Sequence, residues 1–546
     1  MKKSIFSLFA LAVLLLTSCI EDKGNYEYNE LPEITISGLP AYVQVLGNVE
    51  YIDVCPTITS STEGVIAEDN PNFTFQYRIG YATYGVLGGV DYDEEDLTSI
   101  VYHPWIDITP ESGYHLHQFA NFSSGAYIVW FTVTDNRNST VTGTTFNVNV
   151  GLTTSEGWLL LGNKDSDHTA RLDMISRIND NRIELIKDVA KNMPTVHGAT
   201  CIEFVCKQSD PGDLVGVLSP EGGYILDPET LEFDGTRVFN DERFVADPQT
   251  QITKEFTFCA ATWAWNCKYQ FGFDDDGDAY VSTNDYYGLP MNTLTAGKDP
   301  DFKVAPACTY SQVRPWSSDY GSKALFYDET NQRFLLFDGA QGVSKLNIIE
   351  EPENAKFTYN NTGKKYVYAE GTRRSNGLSY WILENASGQR SIYMINLGGG
   401  GITQEDYIDV VDAPEFSQAT MFAFHSQYPL CFYSTGTKLY CYNVATKAAK
   451  EIATNLKSGE VITCMKFNLY RDADYTAILD QSDEFMNQQY RLAVASFDAS
   501  AGDEGGRFTM YDVDGPNSTA TPSTDKWSCF TGLTRIVDLV YREQHE

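Results

Sequence analysis

Apolar and polar positions alternate along much of this chain with a period of two, the spacing of a half-buried strand. In "PEITISGLP" the apolar positions are Ile34, Ile36 and Leu39, and in "FTFQYRIG" Phe73, Phe75, Tyr77 and Ile79 share a face. The stretch "GAYIVWFTVTDNRNSTVTGTTFNVNV" is the clearest. Tyr127, Val129, Phe131 and Val133 lie on one face, Asp135-Asn136-Arg137-Asn138 turns the chain, and Phe146, Val148 and Val150 return. Residues 31–153 therefore read as an all-β sandwich, a fold of about 100 residues.

From Gly157 a different phrase recurs. A strand of aromatic and aliphatic residues meets a short polar turn, and a second strand ends in an apolar residue followed by Asp or Asn. "GWLLLGNKDSDHTARLDMI", "KALFYDETNQRFLLFDG" and "MFAFHSQYPLCFYSTGTKLYCYNVATKAAKEI" are examples. Hairpins are expected near residues 165, 220, 276, 330, 387, 435 and 500, a repeat of about 50 residues that suits four-stranded propeller blades. The expected fold is all-β: an N-terminal Ig-like β-sandwich over 31–153, then a seven-bladed β-propeller over 154–546. Pairing of residues 536–541 with the strand that begins at Trp158 would close the ring. An eight-bladed ring or two stacked sandwiches fit the same degenerate repeat. The one helical hint is Arg182 to Lys191.

The first residues change the picture. Met1-Lys2-Lys3 precedes an apolar run from Ile5 to Leu16. A basic start and a short apolar core make a secretory signal, and the run is shorter than the ~20 residues of a spanning helix. Leu16-Thr17-Ser18-Cys19 resembles the bacterial lipobox. That resemblance implies a signal peptide over 1–18, lipidation of Cys19, and a flexible tether over 19–30. Glu21-Asp22 resembles the signal that sends lipoproteins to the outer face of the outer membrane. "AYIVWFTVTD" resembles the penultimate strand of PKD-type Ig-like domains. Lipobox, "DKGNYEY", sandwich and blades, in that order, resemble the PKD-like family of surface lipoproteins in Sus-type uptake systems.

That resemblance implies a protein anchored by lipid in the outer membrane and facing the cell exterior. It would bind a nutrient polymer, glycan or peptide, or support an uptake complex with an outer-membrane transporter and a partner lipoprotein. Such a role is non-catalytic and needs no cofactor. Two other readings stay open: a surface polysaccharide hydrolase or lyase on a propeller scaffold, and a purely structural docking subunit.

Composition narrows this further. With 74 acidic and 39 basic residues the formal charge is −35, which argues against a nucleic-acid groove. There are 11 cysteines; with Cys19 set aside, the rest form no C-x-x-C pair and sit mostly in apolar runs, as buried free thiols do. Cys431 and Cys441, across a hairpin, are the disulfide pair to test first. His115 and His117 are spaced to share one strand face, but no third metal ligand stands nearby. "DDDGD" (274–278) has Gly272 and Thr283 where a calcium loop needs acids, so it reads as an acidic hairpin tip. Gly398 to Gly401 lacks the following helix of a phosphate loop and reads as a connection between blades. No H-E-x-x-H or G-x-S-x-G occurs, so no catalytic residue and no metal site is assigned. The remaining handle is aromatic. Trp263, Trp265, Tyr286, Tyr287, Trp316 and Tyr320 fall at strand ends or in Gly/Pro/Ser-containing loops, where they could stack against a ligand.

Overall fold

The computed structural model describes residues 31–83, 86–87, 105–179, 182–205, 214–239, 250–259, 268–282, 287–293, 299–310, 323–338, 345–398, 401–468 and 488–542. The chain divides into two compact units, Met1–Val150 and Gly151–Glu546. Both are built of strands, and helix among the described residues is confined to short 3-10 turns.

In the first unit the main sheet runs Tyr42–Leu46, Thr140–Gly151, Gly125–Asp135, Phe73–Thr83. The alternation read from the sequence sets its register: Tyr127 faces Val148 and Val129 faces Phe146, while Phe131 faces Tyr77 and Val133 faces Phe75. Ile34–Ser37 pairs with Thr57–Ser60, and Tyr51–Val54 pairs with Leu116–Phe119. One core collects the inward side chains of all these strands. Inside it the Tyr77 hydroxyl donates to the Tyr114 carbonyl at 2.7 Å, so the buried phenol is not left unsatisfied.

Among the described residues the second unit holds seven antiparallel sheets. Counted from the strand nearest the centre, the first sheet is Arg535–Arg542, Gly157–Asn163, Ala170–Asn179, Arg182–Ile186. The next five begin with Cys201–Val205, Ile252–Cys259, Thr309–Tyr310, Lys365–Gly371 and Met421–Phe424, and the seventh begins with Val461–Phe467. The turn between the second and third strand of each sheet falls at one of the seven hairpin positions read from the repeat. A strand buried on both faces shows a continuous apolar run, as in "WLLL", "LFY" and "YWIL".

Seven apolar clusters hold the sheets together, one between each neighbouring pair. In cyclic order from the contact of sheets one and two, they centre on Leu159 and Phe204, Leu218 and Tyr280, Phe271 and Phe326, Tyr327 and Trp381, Tyr380 and Phe424, Phe432 and Met465. The last cluster, around Trp158 and Phe508, joins sheet seven back to sheet one. The cycle is also closed through hydrogen bonds: Trp158 pairs with Tyr541 and Leu160 with Leu539.

Two expectations are corrected. Arg182–Ile186 is a strand, not a helix. Ile183 and Leu185 pack toward one neighbouring cluster and Ile186 toward another, an alternation that a strand satisfies and a helix does not. Cys431 and Cys441 are both free. In their hairpin Phe432 faces Cys441 and Cys431 faces Tyr442. The two thiols therefore point to opposite faces, into different clusters, and cannot meet.

Candidate functional site

Each of the seven sheets contributes its first strand to a common cavity of about 350 Å³. Its lining includes charged side chains set into otherwise apolar strands: Glu203, Lys254, Glu370, Lys466 and Asp538. A charge in such a position must be paired, neutralised or left to a ligand.

Asp538 is fully engaged. Its Oδ1 accepts from Lys466 Nζ at 2.9 Å and from the Leu539 N–H at 2.9 Å, and its Oδ2 accepts from the Ile202 N–H at 3.1 Å. It thereby ties the first, second and seventh sheets together. Burial pushes the Lys466 ammonium toward neutrality, but the Asp538 carboxylate outweighs this and its pKa rises. The Lys466 side chain stays 40% exposed, because it faces the cavity.

Glu370 is held differently. Both of its bonds fall on Oε2, from the Phe424 N–H at 2.7 Å and from the Tyr368 hydroxyl at 3.0 Å. Burial dominates and raises its pKa to about 7. Among the described residues the Lys254 side chain makes no hydrogen bond or ion pair, and its ammonium lies 5.1 Å from the centroid of the Phe256 ring; burial lowers its pKa. Among the described residues, the hydroxyl of Thr463, the amide nitrogen of Asn468 and the Oε2 atom of Glu255, all on lining residues, make no hydrogen bond. Cys201, Cys308 and Cys464 also line the cavity. Burial raises all three thiols, Cys464 to about 12, so they are protonated and poor nucleophiles. Among the described residues no group of three His, Cys, Asp or Glu side chains is placed to hold a metal.

Beyond the end of the sixth sheet's first strand sits a second polar group. His425 is fully buried and stacks on Tyr490, with centroids 5.7 Å apart and planes 14° apart. Its Nδ1 accepts from the Gln427 and Tyr428 N–H groups, each at 3.1 Å, which puts the ring proton on Nε2. Burial lowers its pKa to about 4, so the ring is neutral at physiological pH.

The residues singled out from the sequence fall elsewhere. Trp263, Trp265, Tyr286, Trp316, Tyr320 and Cys19 lie outside the described residues. Tyr287 is 1% exposed; its ring packs near Phe239 and its hydroxyl donates to Glu255 Oε1 at 2.6 Å. It therefore presents no free face to a ligand. His115 and His117 share Asp53, at 2.9 Å and 3.2 Å. The hydrogen bond His115 donates to Asp53 raises the His115 pKa, as an ion pair on a sheet surface does. Asp274 accepts the N–H groups of Asp276 and Asp278 and the hydroxyl of Tyr280, so "DDDGD" is a hairpin tip. The cavity lysines and acids had a signal in the sequence: a lone charge inside an apolar strand, as in "ITKEF", "YAEG", "CMKFN" and "IVDLVY".

No family model matches the chain, and no curated protein matches it. Solved structures do. A quinonprotein alcohol dehydrogenase-like protein from Bacteroides thetaiotaomicron is 12% identical, with 93% of this chain and 100% of that chain covered and a TM-score of 0.37. A DUF4784 family protein from Bacteroides caccae is 10% identical over 94% of this chain and 99% of that chain, with a TM-score of 0.27.

Proposed function

We propose that the chain is a surface lipoprotein in which an Ig/PKD-like sandwich follows lipidated Cys19 and precedes a seven-bladed propeller. The propeller binds one unit of a nutrient polymer in its central cavity and does not turn it over. Seven sheets with seven apolar clusters in cyclic order support the blade count. For the sandwich, the support is the Tyr127 hydroxyl, which reaches back to the Ser123 carbonyl at 2.8 Å, as a tyrosine corner does.

One observation carries the binding role. A cavity of about 350 Å³, lined by polar side chains from every sheet, falls at the small end of the ligand-site range of about 300–1,000 Å³. Its thiols are protonated, so binding is better supported than covalent chemistry at cysteine. Sugar hydroxyls and ring faces suit the mixture of charged groups with the half-buried rings of Phe256 and Tyr368.

The test is a binding screen of glycans and peptides on the full chain in detergent, with product formation followed for each hit. Binding without turnover is expected. Glu370, with a pKa of about 7, suits a general acid and favours the hydrolase reading as the rival. Turnover that disappears in Glu370→Gln would establish that rival. Labelled fatty acid should enter the wild-type chain in a Gram-negative host and not the Cys19→Ser variant.

A further inference from the structure

We infer that the unit held in the central cavity is an uncharged sugar residue, and that Glu370 reads one of its hydroxyls through Oε1; this rests on the binding role proposed above. The geometry of one carboxyl carries the argument. Both hydrogen bonds to Glu370 fall on Oε2, from the Phe424 N–H at 2.7 Å and from the Tyr368 hydroxyl at 3.0 Å. Among the described residues nothing bonds to Oε1, on a side chain that lines the cavity. On the seventh sheet, the Thr463 hydroxyl and the Asn468 amide nitrogen line the same cavity and make no hydrogen bond. Lys466, between them in the chain, is felt electrostatically at Glu370, so these side chains lie within reach of one small ligand.

The open positions are of both kinds: an acceptor on Glu370, a donor on Asn468, and a hydroxyl on Thr463 that can be either. A sugar hydroxyl likewise donates and accepts, so it suits each of them. A formal charge on the ligand does not. The lining holds four carboxyls, Glu203, Glu255, Glu370 and Asp538, against two ammonium groups, Lys254 and Lys466. An anion meets the excess of acids. A cation meets Lys254, which among the described residues has no ion pair to offset it. Either charge gives up its water on entry and finds a like charge on the wall.

Protonation of Glu370 changes what the ligand meets. Two donors occupy Oε2, so the proton of the neutral carboxyl sits on Oε1. Oε1 thus offers an O–H below the Glu370 pKa of about 7 and a charged acceptor above it. A hydroxyl answers both forms, whereas a peptide N–H or C=O answers one. The titratable groups around Glu370 stay fixed over this range. Burial keeps Tyr368, Tyr380 and Cys431 protonated. Asp538 keeps Lys466 charged, and His425, next to Phe424 in the chain, is neutral with a pKa of about 4. Hydrogen bonds to a charged group are roughly twice as strong as neutral ones. The sugar therefore binds the ionised form more tightly, and its binding near neutrality releases protons.

The test is calorimetry on the full chain in detergent at about pH 5.5 and 8.5, with neutral gluco-, manno- and galacto-oligosaccharides, their uronate and amino-sugar counterparts, and an uncharged peptide. A neutral oligosaccharide is expected to bind, about 10-fold more tightly at the higher pH. At the lower pH, where both counterparts are ionised, each should bind about 10-fold more weakly than the neutral sugar. The chain's charge of −35 draws cations to its surface, which makes the amino sugar the sharper control. Glu370→Gln presents an amide NH2 in place of Oε1 at every pH. It should lose about 10-fold at pH 8.5, lose little at pH 5.5, and abolish the proton release. Thr463→Val should cost about 3- to 10-fold at both pH values. Unfolding curves establish that the variants are folded. A charged counterpart that binds as tightly as the neutral sugar overturns the inference and leaves the binding role standing. So does binding of the peptide alone, or neutral-sugar affinity that does not change with pH in the wild type or is unchanged at pH 8.5 in folded Glu370→Gln. Absence of any ligand overturns both readings.

Discussion

Replacing Glu370 by glutamine should stabilise the protein at pH 8 and change little at pH 4.5. The folded-state pKa of Glu370 is raised from 4.5 to about 7 by burial. A carboxyl raised in this way supports the fold while protonated. That contribution is complete below the unfolded value and is lost as pH rises through the folded one. At ~1.36 kcal/mol per unit, ionising Glu370 costs the fold about 3 kcal/mol above neutrality. Cavity water beside the carboxyl lowers this toward about 2 kcal/mol. Glutamine carries the same shape and keeps a carbonyl oxygen for the Phe424 N–H and the Tyr368 hydroxyl, so it removes the charge and little else. Urea unfolding of both proteins between pH 4.5 and 8.5 measures the difference. The variant's advantage should grow from near zero to about 2–3 kcal/mol, with most of the rise between pH 5 and 7.5. A constant difference, or one that shrinks as pH rises, would refute the reasoning.

His425 titrates in the opposite sense. Its pKa is depressed from 6.5 to about 4, so its contribution is present above pH 6.5 and lost as pH falls toward 4, by about 3 kcal/mol. The two groups offset one another between about pH 4.5 and 6.5. His425→Asn, which keeps an acceptor for the Gln427 and Tyr428 N–H groups, should steepen the loss of stability with rising pH in unfolding curves. Asp538→Asn leaves Lys466 without its counter-charge and should cost about 2 kcal/mol; adding Lys466→Met should recover much of that, and a further loss in the double variant would sink the pairing argument. Native-state alkylation read by mass spectrometry should mark the exposed Cys55 and Cys529 before the buried Cys201, Cys308, Cys431 and Cys441. Peptide maps without reductant should contain no Cys431–Cys441 link.

The repeat was legible because turns announce themselves chemically: Asp-Asp-Gly-Asp, Asn-Ala-Ser-Gly and Ser-Thr-Gly-Thr mark three of the seven hairpins. Alternation likewise fixed the register of the 125–135 and 140–151 strands. The cavity was not legible, because its members come from strands far apart in the chain, as in the Ile202–Asp538 bond across 336 positions. No local pattern reports which strand of each repeat lies nearest the centre. Tyr287 shows the same limit on a smaller scale. A tyrosine after a strand can point outward or inward, and here Glu255 draws its hydroxyl inward. The cysteine pair failed on parity. Cys431 lies ten residues before Cys441, an even spacing that keeps one face along a straight strand, but the hairpin pairs Cys441 with Phe432 and reverses it.

The strand Arg535–Arg542 follows the other described strands of the second unit along the chain, yet it takes the innermost position of the sheet begun at Gly157. Every other described sheet of the second unit is assembled from consecutive strands. During synthesis six sheets can form while the first still presents an open edge along Gly157–Asn163, an invitation to pair with another chain. Until that strand arrives the open edge is a site of aggregation risk. Removal of residues 535–542 would therefore leave the cycle of sheets open, and the loss would be felt by the whole second unit and not by one sheet.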